Sequence, residues 1–580
     1  MENWTKSLKP TRRLWVLLTV LSLGFSLGCA NLAGKSAQPA DSWEPLKILA
    51  INDFHGQLGP GKKVGDRAAG SAGVLASYLK AARQGMEDRT FIVSDGDLVG
   101  ASPAASALLQ DEPAILFMNQ LANRHCTGGD AKDPAAGGRL DPRCNLVATL
   151  GNHEFDGGRE ELLRLITGGN HPNGPFLEDP YRGALYPYVC ANVVDLRTGT
   201  PFLPPYVIKK MAEVPVAFIG AVVKETPGIV APSGVAGLAF LDEAESVNRY
   251  IPEIRAKGVR AIVVLFHQGG FQDPAYSGPT RPDGAVVGDI AGIVARLDDE
   301  VDVVVSGHAH SFTNALLKNR NGKEILVTQA FSAGTAFAHI DLRIDRRTKD
   351  VVKKSASIVI TYADEGPGLA PDAAAGELFK AAEAKVGPLV NRVVGEAQGN
   401  IQQAPNAAGQ SPLGNLVADA QRAAMETDFA FVNPGGIRAE IPQGPVTWGT
   451  LFASQPFRNQ LVRMKLTGQQ IYDLLNQQWT DQQFPRFLQI SGLSYTWDNS
   501  LPVGLRVVEV RKGGVPLDRS AVYSAAANAF LADGGDRFMV FKQGTGRVMG
   551  SYDLDALLAF IGKLPQPFTA PGDQRIFRVN

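Results

Sequence analysis

The twelve residues "NLVATLGNHEFD", Asn145 to Asp156, decide how this chain is read. A short, mostly apolar run breaks off into an amide, an imidazole and two carboxylates, and "GGREELLRL", with helical spacing, follows. That construction predicts a strand buried on both faces, ending in a polar loop that starts a helix. Four further stretches are built alike: "LKILAIN" before "DFHG", "TFIVS" before "DGD", "AIVVLF" before "HQGG" and "VDVVVS" before "GHAH". Strand-like and helical patterns alternate from about residue 46 to 360, which predicts an α/β sandwich rather than an all-β fold. Ligands of open α/β sheets collect at the C-terminal ends of the strands, so five distant loops are expected to meet at one edge.

The loops carry a donor set. Of eight histidines in the chain, five (His55, His153, His267, His308 and His310) fall in these strand-end loops. A single histidine is more often a satisfied core or surface residue. Asp-x-His, Gly-Asp, Asn-His and His-x-His after successive buried strands make a ligand list for two cations. Carboxylate, imidazole and amide oxygen without thiolate suit Zn, Mn, Fe or Co.

With 580 residues, 44% hydrophobic and 20% charged, the chain is ordinary globular material, too long for one core. The formal charge is −1, and losing residues 1–28, with four bases and one acid, takes it to −4. No basic face for a nucleic acid polymer is implied. Lys6, Lys9, Arg12 and Arg13 precede the apolar "LWVLLTVLSLGFSLG", which stops at Cys29, as in an export signal. The run is shorter than the roughly 20 residues a spanning helix needs. "SLGCA" resembles a bacterial lipoprotein cleavage box, and "TRRLW" a twin-arginine signal. The expectation is export to the periplasm or cell envelope, with Cys29 lipidated as the membrane tether and residues 29–45 a flexible spacer. Cys126 and Cys144 bracket a Gly/Pro/Ala-rich insert and are expected to form a disulfide, leaving Cys190 in a core.

Near Tyr362 the alternation gives way to Pro, Gly and Ala, so residues 361–389 read as a linker and connecting helix. Helical and strand patterns then mix from 390 to 580, an α+β second domain.

Taken together, "NDFHG", "DGDLVGASP", "GNHEFD", "FHQGG" and "SGHAHS", followed by "SPLGNLVADA", "NPGGIR", "QPFRNQ" and "ANAFLADGGD", resemble the calcineurin-like two-metal phosphoesterases. The likeness is to their exported 5′-nucleotidase and UDP-sugar hydrolase group, and runs from about residue 46 to the C-terminus. It implies a two-sheet α/β sandwich metallophosphoesterase domain over 46–360 and a 5′-nucleotidase substrate-binding domain over 390–580. By position, the resemblance makes Asp53, His55 and His310 ligands of one metal and Asn152, His267 and His308 ligands of the other. Asp97, which directly follows a Gly as the family's bridging carboxylate does, would join them, with Asp95 a supporting residue. Two divalent ions about 4 Å apart can hold a bridging hydroxide as nucleophile and clamp the phosphoryl oxygens. His153, oriented by Asp156, would stabilise the phosphate or the leaving oxygen. Glu154 and Phe155 read as structural, Glu154 also fitting a helix-start carboxylate.

In the second domain the resemblance places Phe457 and Phe530 on the two faces of a base, Asp536 on the ribose hydroxyls, and Asn433 and Arg438 on the substrate. Without it, both phenylalanines would be assigned to a core. The family's further arginine near the start of this domain is missing, with none in "NIQQAPNAAGQSPLGNLVADAQ" before Arg422; Arg458 is the available substitute. The expected activity is therefore release of phosphate from 5′-nucleoside monophosphates. The same scaffold leaves open a 2′,3′-cyclic-nucleotide phosphodiesterase, a UDP-sugar hydrolase, a thiosulfohydrolase of sulfur oxidation and an anchored binding protein. The last predicts missing ligands.

Overall fold

The computed structural model describes residues 42–128, 141–273, 275, 277–282, 285–480, 482 and 484–580. The expected export signal, Cys29 and nearly all of the spacer lie outside the described residues. The strands of the two large sheets, numbered along the chain, are β1 (Trp43–Ile51), β2 (Thr90–Ser94), β3 (Leu146–Thr149), β4 (Tyr188–Val189), β5 (Tyr206–Met211) and β6 (Val214–Val222). They continue with β7 (Ala261–His267), β8 (Val303–Ser306), β9 (Phe312–Lys318), β10 (Glu324–Ala330), β11 (Ala336–Asp345) and β12 (Val351–Ile360). One sheet runs β12-β11-β1-β2-β3-β4 and the other β9-β10-β8-β7-β6-β5.

The middle of each sheet is parallel: β1 to β4 in the first, β6, β7, β8 and β10 in the second. Side chains alternate across each strand. Ile48 and Ala50 of β1 face the core between the sheets, where Phe91 meets Phe218 edge-on with ring centroids 5.0 Å apart. Leu49 and Ile51 face the outer helical layer instead. Both faces of every central strand are thus covered, which is why the strands read as unbroken apolar runs. Register keeps the strand ends level: Ile51 pairs with Ser94, Ser94 with Ala148, and Phe266 with Ser306. The polar loops after β1, β2, β3, β7 and β8 therefore emerge side by side.

Two boundaries differ from the sequence reading. β1 begins at Trp43, inside the expected spacer, because Trp43 lies under the Arg343 guanidinium at 4.0 Å and buried Glu44 pairs with Arg89 at 2.8 Å. The helix Ala373–Val390, capped by Asp372 accepting from Ala375 N at 3.1 Å, buries Ala375, Ala382 and Val386 in the core of the first domain. It is a packed part of that domain rather than a free connector. Cys126 and Cys144 are disulfide-bonded with Cα atoms 4.6 Å apart, and Cys190 is a buried free thiol.

The second domain opens with the strand Val393–Ala397. Its five-stranded sheet has Phe429–Val432, Val522–Asn528 and Gln460–Thr467 as its inner strands. The segments after the first two place Asn433 and Phe530 in the cavity shared with the first domain's polar edge, described below.

Candidate metal centre and the adjoining cavity

Asp53, His55, Asp97, His308 and His310 all have positive φ, between 44° and 66°. Non-glycine residues pay for that conformation in strain, so five expected ligands share a backbone that the surrounding fold must enforce. Their donor atoms converge. Those of Asp53, His55 and His310 lie within 4.8 Å of one another, as do those of Asp97, His267 and His308, and of His55, Asp97 and His153. Asp97 Oδ2 is 3.2 Å from His267 Nε2 and 3.7 Å from His55 Nε2, so one carboxylate reaches both groups. Asn152 Oδ1 lies 3.2 Å from His267 Nε2. Asp95 is set back: its Oδ2 accepts from Asn52 at 2.7 Å, and its backbone carbonyl accepts from His267 Nδ1 at 3.0 Å.

The hydrogen bonds test whether these groups suit cations. A carbonyl can only accept, so His267 Nδ1, facing Asp95 O, carries a proton, as does His55 Nδ1, 2.8 Å from Gly100 O. Each Nε2 is thereby turned inward. His55 Nε2 and His310 Nε2 stand 3.1 Å apart. Burial pushes His55 down to about 3 and His308 down to about 4, keeping both imidazoles neutral. Burial also opposes charge on His267, but Asp97 and Asp53 outweigh it and raise the group to about 10. Inward-facing Nε2 atoms around buried, ionised Asp53 and Asp97 are a donor set that fits divalent ions, with His267 giving up its Nε2 proton when a cation binds.

His153 stands beside this set. Its backbone N–H donates to Asp97 Oδ1 at 2.9 Å, and Nδ1 bonds Asp156 Oδ2 at 2.7 Å. Burial disfavours the imidazolium, but Asp156 and Asp97 prevail and lift it to about 9. A cavity of about 250 Å³ opens from His153, Asp156, Asn152 and His308 toward the second domain. Its far wall holds all five residues expected to bind substrate: Asn433, Arg438, Phe457, Phe530 and Asp536.

Residues 46–312 match the calcineurin-like phosphoesterase family, and residues 393–543 match the 5′-nucleotidase C-terminal domain. The chain belongs to this family. It is similar to endonuclease YhcR of Bacillus subtilis, 37% identical over 92% of the chain, although it spans only 41% of that protein's length. It is 34% identical to the cell wall protein Lmo0130 of Listeria monocytogenes, over 90% of the chain and 68% of that protein. Among solved structures, a 5′-nucleotidase precursor from Thermus thermophilus superposes with a TM-score of 0.73 at 28% identity, covering 93% of this chain and all of that one. The two matched domains identify a metal-dependent phosphoester hydrolase.

Within this calcineurin-like architecture, three residues do more than their sequence context signals. Glu154 accepts from the backbone N–H of Gly151 at 2.6 Å and of Asp97 and Leu98 at 2.9 Å each. Its carboxylate ties the Asp97 turn to the Asn152 turn, where a Cβ on Gly96 would come within 2.3 Å of Gly151 N. Asp111 takes the Gly100 N–H at 3.1 Å, and the Gly100 carbonyl in turn orients His55. Arg486 lines the cavity of the 5′-nucleotidase domain and is ion-paired to Asp536. Arg458, the expected substitute arginine, is a correction: it lies 5.5 Å over the Tyr552 ring and lines a different cavity, beside Phe452 and Lys385.

Proposed function

We propose that the protein is an exported two-metal phosphohydrolase that releases phosphate from 5′-nucleoside monophosphates. The observation that carries this reading is the cavity joining Asn152, His153 and His308 to Phe457, Phe530 and Asp536. In this reading Asp53, His55 and His310 hold one ion, Asn152, His267 and His308 the other, and Asp97 lies between them. Ions held there supply Lewis-acid stabilisation of phosphoryl oxygens and activation of water. Water oxygen adds to phosphorus and gives up a proton, the P–O5′ bond breaks, and O5′ takes up one proton in its place. His153, kept protonated by Asp156, donates a hydrogen bond to the phosphate or to that oxygen. Arg438 supplies a fixed positive charge toward the phosphate; burial lowers its pKa while Asp97 and Asp156 oppose the shift. The two phenylalanines hold the base by its faces, and Asp536 accepts from the ribose.

Two observations support export: the N-terminal signal pattern ending at Cys29, and the likeness to a cell wall protein. No helix among the described residues is long and apolar enough to cross a membrane. Labelling of the expressed protein with a radioactive fatty acid, lost in Cys29→Ser, tests the anchor.

The likeness to an endonuclease favours a second reading, cleavage of a polynucleotide. The deciding assay measures phosphate from a panel of 5′-nucleotides, 2′,3′-cyclic nucleotides and UDP-sugars, with an oligonucleotide arm. It is run before and after chelation, with Zn, Mn, Fe and Co restored singly. A thiosulfonate-loaded carrier protein serves as the sulfur control. Phosphate release from 5′-monophosphates that chelation abolishes is expected; sulfate release or strand scission in its place would overturn the reading.

A further inference from the structure

Asp536 is buried, with φ of 52°, and both of its oxygens are already engaged. Oδ2 accepts from Asn433 Nδ2 at 2.9 Å, and Asn433 Oδ1 is held by Asn528 Nδ2 at 3.0 Å. Oδ1 accepts from Arg486 Nη1. The segment bearing Arg486 is anchored separately: its backbone N–H donates to Gln478 O at 2.9 Å, and Gln482 Nε2 donates to Asp536 O at 2.7 Å. The carboxylate and the guanidinium thus stand side by side on the cavity wall that also holds Phe530.

Counting donors and acceptors shows what this edge can recognise. An ionised carboxylate has about four lone-pair positions and a guanidinium five N–H donors. Two lone pairs of Asp536 and one donor of Arg486 are used by the side-chain bonds. The rest of the guanidinium is accessible, its side chain 39% exposed, in a cavity whose other carboxylate among the described residues, Asp156, is committed to His153. A ribose cis-diol satisfies Asp536 but leaves those donors without an anionic acceptor. A phosphate ester on one of the two hydroxyls satisfies Arg486 with charge-assisted bonds, while the remaining hydroxyl still donates to Asp536.

We infer that Arg486 forms a second anion subsite at the ribose edge, so that nucleotides bearing a phosphate on O2′ or O3′ bind better than plain 5′-monophosphates. The inference rests on the nucleotide reading above, with the 5′-phosphate at the metal edge. The same chemistry is presented by a nucleoside 3′,5′-bisphosphate and by the 3′-phosphodiester of a 5′-phosphorylated dinucleotide.

The test is steady-state hydrolysis of the 5′-phosphate from adenosine 5′-monophosphate, adenosine 3′,5′-bisphosphate and 5′-phosphorylated ApA by metal-replete enzyme, wild type and Arg486→Gln. The wild type is expected to show a lower KM for the bisphosphate than for the monophosphate. Arg486→Gln should raise the bisphosphate KM by about tenfold or more, with a smaller change for the monophosphate; Arg486→Lys should recover part of the difference. A preference shared by the dinucleotide assigns the subsite to a polynucleotide end, and its restriction to the bisphosphate assigns it to a terminal phosphate. Equal KM values in the wild type, or equal losses for both substrates in Arg486→Gln, would show that Arg486 serves only to neutralise Asp536. The wild-type comparison decides the matter alone if the variant does not fold. Monophosphate hydrolysis with no bisphosphate preference overturns the subsite and spares the nucleotide reading, whereas no phosphate from any of the three overturns both.

Discussion

The Phe457 ring lies parallel to the His153 imidazole, the planes 12° apart and the centroids separated by 5.9 Å. One residue belongs to the 5′-nucleotidase C-terminal domain and the other to the edge of the candidate metal centre, so the two domains touch where the reaction is proposed to occur. A phenyl ring has two faces. With one turned to His153, the other is the face left for a base entering between Phe457 and Phe530.

Phe457→Ala removes that stacking surface. Base–aromatic stacking is worth about 1–3 kcal/mol per base, so KM for a 5′-nucleotide should rise about tenfold or more. Metal content should stay unchanged. Kinetics with a nucleotide and with a base-free phosphate ester such as ribose 5-phosphate check it: only the nucleotide should lose affinity.

His153→Ala should leave the bound metal in place while slowing turnover by about 10²–10⁴-fold, the usual worth of a positioned proton donor. Elemental analysis beside single-turnover kinetics separates the two effects. Loss of metal would make His153 a ligand.

The pH profile follows from the His153–Asp156 bond. The imidazolium persists up to about pH 9 because Asp156 and Asp97 outweigh burial, so activity that needs it declines as pH rises through that value. Asp156→Asn removes one of the two supporting charges. The alkaline limb of kcat against pH should then move to lower pH, and an unmoved limb would assign that limb to another group.

Glu154→Gln replaces an acceptor of three backbone N–H groups by a side chain whose one oxygen can keep the pair from Gly151 and Asp97 while its NH₂ faces the Leu98 N–H. The Asp97 turn should loosen, lowering metal affinity by about 10–100-fold, the range seen when support around a ligand is lost. Titration of apo protein with Zn or Mn reads this without any substrate.

Asp553, bonded through its N–H to the cavity-lining Asn459 at 2.9 Å, offers a stability test that needs no substrate. Burial raises its carboxyl to about 7, against the opposing bonds from Leu554 and Asn459. The folded state therefore keeps its proton while the unfolded state, near the ordinary 3.8, has lost it. Stability falls as pH rises from about 4 to about 7, because the unfolded chain binds fewer protons there. Asp553→Asn should raise the melting temperature at pH 8 and change it little at pH 4. Equal shifts at both values would mean that packing, not ionisation, sets the effect.

What the amino-acid order determined by itself is local. Unbroken apolar runs specify strands covered on both faces, and the polar residues directly after them must emerge at the strand ends. For that reason the polar loops after the five strands could be expected to converge, and the family resemblance then picked out Asp53, His55, Asp97, Asn152, His267, His308 and His310 within them. "NPGGIR", "QPFRN" and "NAFLADGGD" likewise marked, through resemblance, residues that share one cavity. What the tertiary structure decided are contacts between segments with no local rule to join them. Arg486 and Asp536 are 50 positions apart and Glu154 and Asp97 are 57, and nothing in "FPRFLQ" distinguishes a cavity guanidinium from a surface one. Arg458 sits next to a cavity residue in sequence yet lines another cavity, its guanidinium over the ring of Tyr552, 94 positions away. The inclusion of Trp43 in the first strand was hidden for the same reason: its partner, Arg343, is 300 positions away, brought alongside only by strand pairing across the completed sheet.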